Sequence, residues 1–368
     1  MHIVLVAALL LGVSFIRTLQ YRNTRKIETI YSGVIIFLFA ALRGQNVGID
    51  LATYSENYVE IASFSFAEIL NSSSLFNWSR DPIFWIFMKV LTYISIDPQI
   101  MIISVSAIVS VSVSLLIFRF RTDVLLCFLI FICLRYYSFT LTGLRQAVAM
   151  SVLYFTFDYL LSKKLLPFVF ITSLAAAFHI SAITFLMAYP VTLIKKKRYI
   201  LIASSIFVIV TFTFKGFFSI FLPLFTDRFT NYLEMTETAA SGNVILGIYL
   251  LVLIFSLIQH KRIRIYILEK TTSFKALFRF STNISMSFNF LIIGTAVSVV
   301  GMFFPNFFRI AYFFIIPSLF FLFPITINYY QKFFKGFSLK LIVVILLVSQ
   351  YIILGPGSGI EDYVFFWE

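Results

Sequence analysis

Residues 310–328 read IAYFFIIPSLFFLFPITIN, a run without a single charged side chain. At 1.5 Å per residue such a run is about 28 Å long as a helix, close to the ~30 Å hydrocarbon thickness of a bilayer. Its apolar residues are continuous rather than alternating, which favours a helix over a barrel strand, because in hydrocarbon every backbone polar group must be paired internally. The pattern recurs along the chain. Apolar runs fall near 3–16, 29–42, 100–118, 124–141, 144–161, 165–178, 180–194, 199–214, 244–259, 284–302, 310–328 and 340–354. Several are shorter than the roughly 20 residues of a full crossing, so flanking residues must complete them or the bilayer must thin. The chain is 60% hydrophobic and 12% charged, against about 45–50% and about 25% in soluble domains. The expectation is an all-α, multi-pass integral membrane bundle of about twelve spans, forming a single polytopic domain over 1–368.

Charge sets the expected orientation. Arg17/Arg22/Arg25/Lys26, Arg119/Arg121, Lys163/Lys164, Lys195–Arg198, the basic loop 260–279 and Lys332/Lys335/Lys340 fall in alternate loops, as cytoplasmic loops of short length do. Both termini are then on the outer side, with residues 3–16 a retained span or signal anchor. The same asymmetry accounts for the net charge of +13 without nucleic acid. One stretch breaks the alternation. Residues 83–96 are apolar, yet a crossing there would reverse every later loop, so 43–99 reads as one outer-face excursion with interfacial or re-entrant helices near 57–70 and 83–96. A pair of crossings within it would preserve the same parity.

Composition also excludes functions. Forty-seven Phe and 19 Tyr suit the aromatic belts of a membrane protein. Cys127 and Cys133 share one apolar run and suggest neither a disulfide nor a metal site. No P-loop, dinucleotide fingerprint, HExxH or Cys/His metal spacing is present, so the sequence gives no sign of a cofactor or metal. Ion-coupled transport needs mid-span carboxylates, and the apolar runs are nearly free of acids.

Polar groups at the outer ends of helices are the functional candidates, since ionisable groups there are costly. Arg43-Gly44 closes the second run, and Asp50, Tyr54 and Tyr58 follow on one helix face; Asp50 is either a helix cap or a site residue. Arg145, followed by Gln146, would sit in the first turn of its helix, where a cation opposes the dipole and an anionic ligand would reverse the sign. Arg135, deeper in the preceding helix, is a second phosphate ligand or a snorkelling side chain. His179 lies at an outer turn as a cap or a base. Arg309, with Tyr312 behind it, repeats the placement of Arg145, and two such arginines on one face suit an anion. Asp227, Arg228, Glu234 and Glu237 read as a solvated loop or a cleft cap.

Taken in order, Arg43-Gly44, Gly48-x-Asp50-x3-Tyr54-x3-Tyr58, Gly143-Leu144-Arg145-Gln146-x2-Ala149, Phe178-His179-x-Ser181-Ala182 and Arg309-x2-Tyr312-Phe313 resemble the EpsG family, grouped with Wzy-type polysaccharide polymerases. The resemblance covers most of the chain but not 215–243 or the tail after 354. It implies a GT-C-like bundle in a bacterial cytoplasmic membrane, joining undecaprenyl-pyrophosphate-linked oligosaccharide repeat units into O-antigen, capsule or exopolysaccharide. Implied partners are the lipid-linked donor and acceptor, a flippase and a chain-length regulator. In that chemistry Arg145 and Arg309, with Arg43, would stabilise the departing pyrophosphate, and His179, with Asp50 as runner-up, would be the base. Tyr54, Tyr58, Gln146, Arg135 and Tyr312 would line the substrate site. A lipid-linked oligosaccharide flippase, an O-antigen-type ligase and a purely structural envelope protein remain the rival readings.

Overall fold

The computed structural model describes all residues except 1, 20–22, 72–80, 215–238, 259–260, 263–264, 266–273, 303, 305, 335, 337 and 358. Among the described residues the structure is helical, with no strand and one isolated antiparallel bridge between Arg43 and Phe365. Each of the twelve apolar runs is mainly helical where described, that at 124–141 in two pieces. Among the described residues, three helices are long and apolar enough to cross a membrane: Gln99–Phe120, Asn283–Gly301 and Phe307–Phe333; a bent pair at 124–142 makes a fourth if it is one span. The remaining apolar helices measure 10–17 residues.

The chain divides into two compact units, one formed by Met1–Tyr159, Leu165–Ile183 and Leu341–Glu368, the other by Leu160–Lys164 and Thr184–Lys340. The first unit contains α1 (His2–Thr18), α2 (Thr24–Ala41), α3 (Leu51–Ser63), α4 (Phe66–Asn71), α5 (Pro82–Thr92), α6 (Gln99–Phe120), α7 (Val124–Cys133), α8 (Tyr136–Thr142), α9 (Leu144–Leu153) and α11 (Leu165–Phe178); between the last two, α10 (Phe157–Leu161) ends in the second unit. Its core is α2 laid antiparallel on α6. Gly33 permits the close approach, since a Cβ there would stand 2.4 Å from Ser114 Oγ. Gly12 likewise admits the Tyr31 ring, whose hydroxyl donates to Ala8 O at 3.0 Å.

The two ends of this unit differ chemically. At one end Arg17 bridges Glu28 (2.7 Å) and Asp123 (3.4 Å), and Asp123 caps α7 by accepting from Leu126 N at 3.1 Å. At the other end the stretches 43–71 and 81–98 fold over the helix ends. Here α3 and α5 pack together, about 20 and 17 Å long. Lys89 of α5 is buried and donates to Ile61 O and Ala62 O (3.3 and 3.1 Å). It thereby satisfies carbonyls at the C-terminus of α3, where a cation suits the dipole.

The run 124–141, expected as one helix, is broken. Leu134 and Arg135 separate α7 from α8, the two helices are bent by 57°, and Arg135 is left-handed at φ 64°. The cause lies in the C-terminal segment, which packs on the break through the helix Leu339–Leu354. Gln350 donates to Cys133 O and Arg135 donates to Leu354 O and, at 3.0 Å, to Gly355 O. Each partner thus satisfies carbonyls that the other leaves open. The tail beyond 354, where no pattern was legible, is fastened to the 42–48 loop by Gly48 N→Gly359 O, Gly44 N→Val364 O and Phe366 N→Leu42 O, all at 2.9–3.0 Å.

The second unit contains α12 (Ala188–Leu193), α13 (Lys197–Thr213), α14 (Ala239–Ile258), α15 (Phe274–Gly301) and α16 (Asn306–Tyr330). The run 180–194 starts as a 3-10 helix, Ile180–Met187, and becomes α-helical only at Ala188. Helices α15 and α16 pack closely at Gly294, where a Cβ would meet Ile315 Cγ1 at 2.3 Å. Phe185, Phe290 and Phe314 interlock beside them with ring centroids 5.3–5.8 Å apart.

Candidate functional site

Four side chains of the first unit, from four separate stretches of sequence, meet at the end covered by 43–71 and 81–98. Asp81 stands at the N-cap of α5, before Pro82, a residue suited to the first helical position. Its carboxylate makes no bond to its own helix. Instead it reaches Arg145 Nη1 at 2.7 Å, accepts from Ile180 N at 3.0 Å and lies 3.4 Å from His179 Nδ1. Arg145 also donates through Nε to Tyr54 Oη at 3.0 Å. Its guanidinium carbon lies 5.7 Å from the Tyr54 ring centroid and 5.9 Å from that of Trp85.

Local structure explains each placement. Gly143 ends α8 and starts α9 with no side chain at the cap, so Arg145 occupies a bare helix N-terminus. His179 follows α11, its N–H bonded to Ala175 O at 3.0 Å, and its carbonyl starts the 3-10 turn through Ala182 N at 2.9 Å. Tyr54 is one turn into α3 and packs edge-on to Phe84 of α5.

The electrostatics are those of a compensated but open site. Burial alone would push the Asp81 carboxyl up; His179, Arg145 and the Ile180 amide outweigh it and hold the group below the usual carboxylate range. Burial also raises the Tyr54 phenol, and the adjacent Arg145 only partly opposes this. Tyr54 therefore stays a neutral hydroxyl at ordinary pH. The Asp81 side chain is 3% exposed, whereas Arg145 and His179 keep 20% and 24%. Of the five guanidinium N–H groups, Arg145 commits one to Asp81 and one to Tyr54. Neither Arg145 Nη2 nor His179 Nε2 has a hydrogen-bond partner among the described residues. A cation and an imidazole thus share one carboxylate and keep open edges, an arrangement suited to an anion and to proton transfer.

The sequence model of the EpsG family matches residues 29–363. The chain belongs to the EpsG family. No match was found among curated proteins or among solved structures. EpsG is a Wzy-like polymerase family, and the match embraces Asp81, Arg145 and His179 together with the second unit's Arg309.

In this EpsG-family chain the other candidate residues are distributed unevenly. Gln146 is buried behind Arg145. Asp50 caps α3 by position but makes no side-chain cap bond; its charge acts on Tyr54 through space only. Tyr58 is wholly buried and donates to Ser95 O at 2.7 Å, fixing α3 to the turn after α5. Arg43, expected to face a substrate, is 1% exposed and directed inward, to Ala40 O (2.5 Å), Leu141 O (3.1 Å) and Ser106 Oγ (3.4 Å). It satisfies helix-terminal carbonyls of α2 and α8, a structural placement. Arg135, for which a phosphate ligand or a snorkelling chain was expected, satisfies the end of the C-terminal helix. Arg309 and Tyr312 lie half-buried in the first turns of α16 in the second unit. The loop containing Asp227, Arg228, Glu234 and Glu237 is outside the described residues.

Asp81 was missed in the sequence. Asp-Pro before an apolar stretch does signal a helix start, but a cap is an ordinary role, and nothing local shows that the carboxylate turns away from its own helix.

Proposed function

We propose that this chain polymerises undecaprenyl-pyrophosphate-linked oligosaccharide repeat units at the outer face of a bacterial cytoplasmic membrane. The observation that carries the reading is the cluster itself: Arg145 and His179 share Asp81 and keep open hydrogen-bonding edges. A lipid pyrophosphate leaving group needs a cation fork, which Arg145 supplies through its uncommitted N–H groups. An acceptor sugar hydroxyl needs a base, which is the role given to His179.

In the proposed reaction the acceptor oxygen attacks the anomeric carbon of the donor's first sugar and its proton passes to His179. The bond from that carbon to the phosphate oxygen breaks, and its electron pair leaves with the polyprenyl pyrophosphate. Charge develops on the leaving oxygens, where Arg145 stabilises it; such electrostatic stabilisation is usually the largest catalytic contribution. Tyr54 holds the Arg145 fork and offers its hydroxyl to the substrate. The about twelve-span topology with outer termini belongs to the same reading, as do a flippase that delivers the units and a chain-length regulator. The product is O-antigen, capsule or exopolysaccharide.

The test is deletion in the native host, complementation at matched membrane levels, and electrophoresis of lipid-linked and surface glycans. Single outward-facing repeat units should accumulate without polymer and be restored to polymer by the wild-type gene. Finished polymer stranded on the lipid carrier would make the chain a ligase, and units trapped on the inner leaflet would make it a flippase.

A further inference from the structure

Two aspartates of the first unit stand at N-cap positions before apolar helices, and they behave differently. Asp123 accepts from Leu126 N, the third residue of its own helix. Asp81 leaves the amides of α5 without a side-chain cap and points its carboxylate at three groups from elsewhere: Ile180 N, Arg145 Nη1 and His179 Nδ1. A side chain placed against its local preference, with 3% of its surface exposed, is held there by what it contacts.

The bond from Ile180 N is informative. It ties the carboxylate to the peptide that follows His179, so the ring and the carboxylate share one rigid backbone position. An ionised carboxylate can only accept. The imidazole nitrogen facing it, Nδ1, must therefore carry the proton, which leaves the lone pair of a neutral ring on Nε2. That nitrogen has no protein partner among the described residues.

We propose that Asp81 is a positioning residue, which fixes the His179 ring with Nδ1 protonated so that Nε2 is presented as the base, and which holds the Arg145 fork at the same edge. This rests on the polymerase reading for the identity of the proton donor, the acceptor hydroxyl. When that proton moves to Nε2, the imidazolium formed faces the Asp81 carboxylate, and after the carrier pyrophosphate departs the proton returns to water. Asp81 touches neither sugar nor pyrophosphate.

The orientation can be read without any glycan. The chain has three histidines, His2, His179 and His260, so His2→Ala/His260→Ala leaves one. Diethyl pyrocarbonate, which acylates an unprotonated imidazole nitrogen, is applied to membranes containing the full chain, and the modified peptide is quantified by mass spectrometry. In Asp81→Asn the amide can donate to Nδ1 and turn the tautomer over, so His179 labelling should fall several-fold. Polymerisation should drop by about 10²–10⁴-fold, as for loss of a general base, and Asp81→Asn/His179→Ala should lose clearly less than the product of the two single losses, the remainder reflecting the Arg145 fork that Asp81 also holds. Unchanged labelling of His179 in Asp81→Asn overturns the proposal, whatever happens to the polymer, and so does an additive double variant. Reduced labelling with normal polymer from both Asp81→Asn and His179→Ala supports the positioning and removes His179 from the polymerase reading instead. Where Asp81→Asn accumulates poorly, Asp81→Glu gives the converse test: with a carboxylate present His179 must stay reactive, and its silence overturns the proposal.

Discussion

Asp81 and Arg145, 64 residues apart in the chain, form an ion pair of 2.7 Å in which the carboxylate is sealed from solvent and the guanidinium is not. The asymmetry means that the pair is anchored from the Asp81 side and offers Arg145 outward. A buried carboxylate stripped of its partner is expensive to keep, so the arrangement links the stability of this end of the unit to the group that would meet an anion.

Replacing Arg145 should therefore affect both properties. Arg145→Ala is expected to abolish polymer and to destabilise the protein by roughly 3 kcal/mol, the lower end for breaking a buried pair. Arg145→Lys restores the charge but not the fork, because the donors of a lysine all sit on one nitrogen and lack the separate Nε and Nη1 positions that meet Tyr54 and Asp81. Thermal unfolding in detergent should recover for lysine more fully than polymer yield does.

The Asp81 carboxyl, held below its ordinary range, sets a pH dependence with a defined sign. Its folded value is lower than the unfolded value of about 3.9, so its contribution to stability is complete above that pH. The contribution is lost as pH falls through the folded value. The difference in unfolding midpoint between wild type and Asp81→Asn should be largest near neutrality and narrow below about pH 4.

At the break between α7 and α8, Gln350 and Arg135 each satisfy carbonyls of the opposite segment. Gln350→Ala should cost about 1–3 kcal/mol, the penalty of leaving a buried carbonyl unpaired. Limited proteolysis would then cut the tail after residue 354 earlier than in wild type, and polymer yield would follow the amount of intact chain.

Gly294 has no room for a side chain against Ile315. Gly294→Ala is expected to lower stability by about 1–3 kcal/mol through overpacking, read as a lower unfolding midpoint with turnover per folded molecule preserved.

The sequence was most informative where physics is local. Continuous apolar runs such as 310–328 and 100–118 predict helices, and helices are found there. It misled where a helix depends on a distant partner. Nothing in 124–141 shows that Gln350 and Arg135 would break it, because the compensating bonds come from more than 200 residues away. Arg145, His179 and Tyr54 were legible as polar residues at helix ends, and the structure brings them together. Arg43 has the same local signature, yet it faces inward to carbonyls; spacing cannot distinguish a cation that caps its own protein from one left for a ligand. Asp81 was hidden for the opposite reason, since its sequence context describes a role it does not perform.

The central claim is that the edge built by Asp81, Arg145 and His179 joins lipid-linked repeat units. It is tested most directly by purifying the chain, reconstituting it in liposomes with lipid-linked repeat units from a strain lacking the gene, and following polymer and released polyprenyl pyrophosphate together. The account predicts that wild type forms polymer with one carrier released per unit joined, and that Arg145→Ala and His179→Ala, present as folded protein, do neither. Equal turnover by those variants, or no turnover by the wild type on units that its host polymerises, would contradict it.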